Sequence, residues 1–123
     1  MDINLINTND LIIAEIVADS IIINDAQDAL DILANCAYQD ANRIIVYQKD
    51  ITEDFFELKT KLAGEVLQKF SSYNSKLAIV GDFSGYGSKS LRDFIYESNK
   101  VGRVSFVATK EEAIEALLKG VKV

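Results

Sequence analysis

Apolar residues along this chain switch repeatedly between a strand rhythm and a helix rhythm. Residues 3–7 and 11–17 read as two strands joined at Thr8-Asn9-Asp10, which predicts a β-hairpin. Residues 20–23 read as a third, short strand. Asn24 then stands as a helix N-cap, with Gln27 three residues on as in a capping box. In the helix that follows, Ala26, Ala29, Leu30, Leu33, Cys36 and Ala37 form one apolar stripe at 3.6-residue spacing, while Asp28, Asp31 and Gln39 point away.

The alternation continues. Residues 43–48 are rich in strand formers and end at Asp50. A long helix is expected over 54–72, with Phe55, Leu58, Leu62, Val66 and Phe70 on one face. Residues 76–80 hold the run Leu-Ala-Ile-Val, continuously apolar as a buried parallel strand should be. Ser90-Leu-Arg-Asp93 has the form of a capping box and predicts a helix reaching about Asn99. Residues 104–108 read as the last strand. Thr109 caps a final helix carrying Ala113, Ile114, Leu117 and Leu118, with Gly120 as its stop. Strands alternating with helices imply right-handed βαβ crossovers. The expected fold class is therefore α/β: an N-terminal β-hairpin, then βαβ units building a largely parallel sheet with about four helices.

Composition narrows the chemistry. At 123 residues the chain is expected to form one domain over 1–123. No apolar run approaches the roughly 18 residues of a membrane span, and the first residues lack the layout of a signal peptide. The lone cysteine, Cys36, has no partner for an internal disulfide, which fits a cytoplasmic location. Histidine is absent, which removes His-based acid–base catalysis and His-ligated metal together. The net charge of −6 argues against a general nucleic-acid binder. It is unevenly spread: residues 1–58 carry twelve acids and two bases, residues 59–123 seven acids and eleven bases. Such asymmetry suits steering toward a partner, though the plainer reading is that helices simply wear solvated charge.

One stretch looks like a binding loop. In Lys76 to Ser90 an apolar strand runs into Gly-Asp-Phe-Ser-Gly-Tyr-Gly-Ser-Lys-Ser, which opens a helix. Gly81, Gly85 and Gly87 permit positive φ, and Lys89 adds a cation, so an amide nest for an anion is one expectation. The spacing matches neither Gly-x-x-x-x-Gly-Lys-Ser/Thr nor Gly-x-Gly-x-x-Gly. On the rim formed by the C-terminal strand ends the sequence places Asn24, Asp25, Asp50, Asp82, Ser84, Ser88, Lys89 and Ser90. Asp50, Asp82, Ser88 and Lys89 there suggest magnesium with a phosphorylated ligand; the plainer alternative is that these residues cap helices and turns.

The element order resembles the STAS domain, the anti-sigma-factor-antagonist fold of bacterial regulators and anion-transporter tails. A nearer likeness is to a bacterial STAS-like family, domain of unknown function 4180. It rests on Ile22-Ile-Asn-Asp-Ala-Gln-Asp-Ala-Leu30, on the 54–70 segment beginning Asp-Phe-Phe-Glu-Leu-Lys, on Leu77-Ala-Ile-Val-Gly-Asp-Phe83, on the 88–99 segment and on Lys110-Glu-Glu-Ala-Ile114. Characterised STAS proteins carry an Asp-Ser switch at the helix after the central strand. Here that helix has no Asp-Ser; Thr60 between Lys59 and Lys61 is its nearest hydroxyl, and Thr52 sits nearer the start, where it suits a cap.

The reading is therefore a cytoplasmic STAS-like regulatory or protein-interaction module with no catalytic residue, no metal and no cofactor. Its expected face comprises Thr52, Lys59, Thr60, Asp82, Ser84, Gly85, Gly87, Ser88, Lys89 and Ser90. The expected partner is another protein or a second copy of the chain, with nucleic acid and membrane excluded. The alternative is a phosphometabolite- or nucleotide-binding protein, with magnesium-dependent catalysis a variant of it, that uses the 81–90 loop to hold a small anion or phosphate.

Overall fold

The computed structural model describes residues 1–8 and 11–120, so Asn9 and Asp10 of the expected hairpin turn lie outside the described residues. Strands β1 (Asp2–Asn7) and β2 (Ile12–Val17) form the antiparallel hairpin, pairing one-to-one from Asp2↔Val17 to Asn7↔Ile12. Next come α1 (Ala26–Tyr38), β3 (Arg43–Tyr47), α2 (Leu62–Ser72), β4 (Lys76–Val80), α3 (Lys89–Val101), β5 (Val104–Val107) and α4 (Lys110–Leu118). The five strands make one sheet in the order β1-β2-β3-β4-β5, with β2 to β5 parallel.

That order explains the layers. Each crossover from β2 to β5 steps to the next strand in one direction, and right-handedness then puts α1, α2 and α3 on the same face. Their stripes (Ala29, Leu33 and Cys36; Leu62, Val66 and Phe70; Leu91) pack on Ala14, Ile16, Ile44, Val46, Leu77, Ile79, Val104 and Phe106. On the other face, α4 lays Ala113 and Leu117 over Ile13, Ile45, Ala78 and Val80. Every residue of β4 is buried, as a central parallel strand requires.

Several expected boundaries move, each for a local reason. Residues 20–23 form no strand; only Ile23 bridges, to Ile51. The N-cap of α1 is Asp25, not Asn24: its carboxylate accepts from the Asp28 N–H at 2.8 Å. Asp28 in return accepts from the Asn24 N–H, and Gln27 donates to Asp31 instead. On α1 it is Ile32 that is buried, whereas Ala37 is exposed. α3 is capped by Ser88 rather than Ser90 and ends at Gly102, whose φ of 86° is the left-handed conformation open to glycine. β5 stops at Val107 rather than Ala108, and α4 ends at Leu118 without a glycine cap, Lys119 being extended.

The largest difference is the expected helix over 54–72. It divides into 3₁₀ turns at Glu53–Phe56 and Leu58–Thr60, a left-handed Lys61 (φ 68°), and only then α2. Phe55 and Phe56 are both buried but point to different partners, Phe55 toward Phe106 and Phe56 onto Tyr86. The Thr60 hydroxyl is shared between the carbonyls of Asp54 (2.6 Å) and Glu57 (2.8 Å), competing with helical continuation.

Burial also sets a pH response. Desolvation pushes the Cys36 thiol from 9.0 up to about 11. Between these values the unfolded chain has released the proton and the folded chain still holds it, so stability falls as pH rises through the window. The share belonging to Cys36 is about 2–3 kcal/mol. Lys76 acts in the opposite sense, because desolvation and the nearby cations Arg43, Arg103 and Lys119 lower it to about 8. Comparing Cys36→Ala with the parent isolates the thiol: the variant's chemical-denaturation stability should decline less between pH 9 and 11. Parallel profiles would contradict the assignment.

Candidate functional site

Helix N-termini and loops gather at the C-terminal ends of the parallel strands. Two loops there are tied to each other. The Gln48 side chain, leaving the end of β3, donates from Nε2 to the Tyr86 hydroxyl at 2.9 Å and accepts from the Asp82 N–H at 2.8 Å. Tyr86 stacks on Phe56 with ring centroids 5.1 Å apart, and its hydroxyl lies 3.4 Å from Glu53. Phe83 reaches Phe106 edge-on at 5.3 Å. The 81–88 loop is thereby packed down by its aromatics onto the 3₁₀ segment. Gly81 is required for this approach: a Cβ there would lie 2.2 Å from Gln48 Oε1 and 2.5 Å from Gln48 Cβ.

The expected anion nest does not form. Among the described glycines only Gly102 has a positive φ, so Gly81, Gly85 and Gly87 do not turn the backbone as a nest requires. Asp82 binds its own loop, accepting from the Ser84 N–H (3.0 Å) and hydroxyl (2.6 Å); these bonds hold its carboxyl below the usual range. Ser88 accepts from the Leu91 N–H at 3.2 Å. Lys89 pairs with Asp93 at 2.8 Å on the exposed surface, and Ser90 lies exposed in the first turn of α3. The 81–90 residues thus serve turn and cap roles.

The carboxylate set for magnesium is not assembled either. Asp25 caps α1. Asp50 is 1% exposed, with Oδ1 held by Lys49 at 2.8 Å. Among the described residues no three Asp, Glu or Cys side chains come together to hold a metal ion. Asp50 Oδ2 is buried without a hydrogen-bond partner, a costly arrangement beside the rim.

What the rim does present is an open face. Thr52 makes no cap hydrogen bond; with Ile21, Gln48, Lys49, Ile51 and Glu53 it lines a shallow cleft of 580 Å³. Ile21, 43% exposed, adds apolar surface at its edge. Lys59 and Thr60 are exposed on the neighbouring 3₁₀ turn.

The family pattern of the domain of unknown function DUF4180 matches residues 8–117. The chain belongs to that family. No curated protein matches the sequence. Among solved structures, the chain is similar to a candidate anti-sigma factor antagonist from Thermotoga maritima, with 18% identity, a TM-score of 0.50 and 95% of each chain covered. This likeness establishes that the DUF4180 chain has a STAS-like fold, with four helices and a five-stranded, mostly parallel sheet.

Sequence reading missed one polar cluster of this DUF4180 chain entirely. Glu15, buried on β2, accepts from Tyr47 (2.6 Å), Asn4 (3.1 Å) and Lys110 (3.1 Å), which fastens the start of α4 to the sheet. Burial pushes its carboxyl upward, and the three donors outweigh that and hold it below the ordinary value. Burial and the Glu15 acceptor push the Tyr47 phenol up to about 12. At the other end of α4, Arg43 donates to the Leu117 carbonyl at 2.7 Å and buried Lys76 donates to the carbonyls of Ala116 and Lys119. Cations thus meet the negative end of the helix. The one sequence signal was polar residues at inward positions of otherwise apolar strands. Among the described residues, no helix is long and apolar enough to cross a membrane.

Proposed function

We propose that the chain is a non-enzymatic regulatory module of the bacterial cytoplasm that acts through protein contact. It works as one domain over 1–123, and the rim carrying Thr52, Lys59, Thr60 and the 84–90 residues is its partner face. One observation carries this reading: the Gln48–Tyr86–Asp82 hydrogen bonds and the Phe56–Tyr86 stack hold two exposed loops in one fixed arrangement. A pre-organised surface loses little further entropy on docking a partner. The likeness to a candidate anti-sigma factor antagonist supports the same class of role.

Site-specific photo-crosslinking in the native host tests this. A benzoylphenylalanine replacing Thr52 or Lys59 should give a discrete crosslinked protein species. The same probe at Tyr73, exposed beyond the C-terminus of α2, should not. Equal yields from all three positions, or none at the rim, would reject the assignment.

A further inference from the structure

The β5 edge of the sheet holds a cavity lined by none of the rim residues. Ser105 alternates with Val104 and Phe106, which pack under α1 to α3, so its side chain points to the face covered by α4. That helix is centred over β4, where Ala113 and Leu117 pack on Ile45, Ala78 and Val80. Toward β5 the lining residues Ala116 and Ser105 are small, and they leave a cavity of 360 Å³. The last turn of α3 forms its outer wall. Asn99 fixes that turn in place: it accepts from the Phe106 N–H at 2.7 Å and donates to the Phe106 carbonyl at 3.2 Å.

Ser105 is 5% exposed, yet its hydroxyl has no hydrogen-bond partner among the described residues and opens into this cavity. A buried hydroxyl left unpaired carries a cost that a ligand's polar group recovers. Val101 and Val107 add apolar lining. The mouth carries both signs of charge. Lys119 and Glu115, one turn apart at the end of α4, form an exposed pair at 3.9 Å, and Lys100 meets Glu97 at 3.8 Å on α3. Both separations lie at the limit of an ion pair, and exposed pairs of this kind contribute little. The charges are therefore open to a better partner. The volume sits at the lower end of the ~300–1,000 Å³ typical of small-molecule sites.

We propose that the cavity between α3, α4 and β5 binds a free α-amino acid with an aliphatic side chain. The adjacent carboxylate and ammonium of such a ligand insert between Lys119 and Glu115, replacing one long contact with two charge-assisted hydrogen bonds. The Ser105 hydroxyl donates to the carboxylate, and the aliphatic chain lies against Val101, Val107 and Ala116. A ligand with a single charge leaves either Lys119 or Glu115 without a new partner, so the site selects zwitterions over plain amines or acids. This site does not rest on the rim reading.

The test is titration of the isotopically labelled full chain with leucine, isoleucine, valine and methionine, read by amide chemical shifts. At least one should bind saturably and move the amides of Val101, Gly102, Ser105 and Ala116 ahead of all others. The amine and the carboxylic acid that match the best ligand each lack one charge. Each should bind about ten-fold more weakly, the loss of one hydrogen bond to a charged group. Ser105→Leu fills the cavity and should abolish the response. Glu115→Gln and Lys119→Gln change only exposed side chains; each should weaken binding about ten-fold, and they decide the matter if the leucine variant does not fold. No saturable shift at millimolar amino acid, shifts centred elsewhere, equal affinity for the amine or the acid, or surface variants that bind like the parent would overturn the proposal. So would movement of the same amides on removal of residues 121–123 with no response to any amino acid, because the chain's own end would then fill the cavity.

Discussion

Replacing Phe55 by alanine is expected to cost about 3–5 kcal/mol of folding stability, the range for removing a buried phenylalanine. Phe55 is 1% exposed; its ring meets Phe56 edge-on at 5.0 Å and lies 6.2 Å from Phe106. It anchors the 3₁₀ segment to the sheet, in a stretch whose irregular backbone has few bonds of its own. The loss is a large share of the 5–15 kcal/mol that holds an ordinary domain together. It should lower the melting temperature by about 10–20 °C. Urea denaturation measures the effect, and hydrogen exchange locates it: amides between Thr52 and Lys61 should lose protection before those of β4. A loss below about 1 kcal/mol would mean that this segment does not depend on Phe55.

Gly81→Ala should be nearly as damaging, at about 2–3 kcal/mol, through overpacking rather than a cavity. The added methyl would sit 2.2 Å from Gln48 Oε1, 2.9 Å from Cδ and 2.5 Å from Cβ. Rotating the Gln48 amide relieves the first two contacts, but its Cβ is fixed by the backbone. The alanine must therefore push the β3 and β4 exits apart, breaking the Asp82–Gln48 and Gln48–Tyr86 bonds. A double-mutant cycle with Gln48→Ala should recover only part of the loss, since the 2.5 Å contact remains. Full recovery would show that the far end of Gln48, not the approach of the two strand exits, is what Gly81 accommodates.

These two positions illustrate how differently the elements could be read. The Leu77-Ala-Ile-Val80 run and the α1 and α2 stripes announced buried strand and packed helices, because periodic burial is written directly into residue order. The 53–61 segment shows the same periodicity at Phe55, Leu58 and Leu62, yet it is not α-helical. Burying Phe55 and Phe56 together and turning at Lys61 are gains that exist only once β5 and the 81–88 loop are in place. The glycine loop misled for a related reason. Gly81 suggested an anion nest, whereas its small size admits the side chain of Gln48, which follows β3 and lies 33 residues earlier in the chain. Asp25 and Ser88, one and two residues from the expected caps, show the ordinary imprecision of choosing among adjacent polar residues that all suit a helix start.

The sequence alone determined the α/β class, the hairpin followed by crossovers, the likeness to the STAS and DUF4180 families, and the absence of histidine chemistry. The class and the missing histidine chemistry depend on composition and on spacing within single elements, whereas the family likeness is a resemblance carried by whole segments from Ile22 to Ile114. Tertiary structure decided what depends on elements distant in the chain. It locked the rim through Gln48 and Tyr86, buried Glu15 between Tyr47 and Lys110, and dispersed the expected magnesium carboxylates. It also closed the β5 edge with Asn99, which accepts from the Phe106 N–H and donates to the Phe106 carbonyl. Side-chain partners separated by tens of residues are chosen by the sheet order and the handedness of its crossovers, and no local periodicity encodes those.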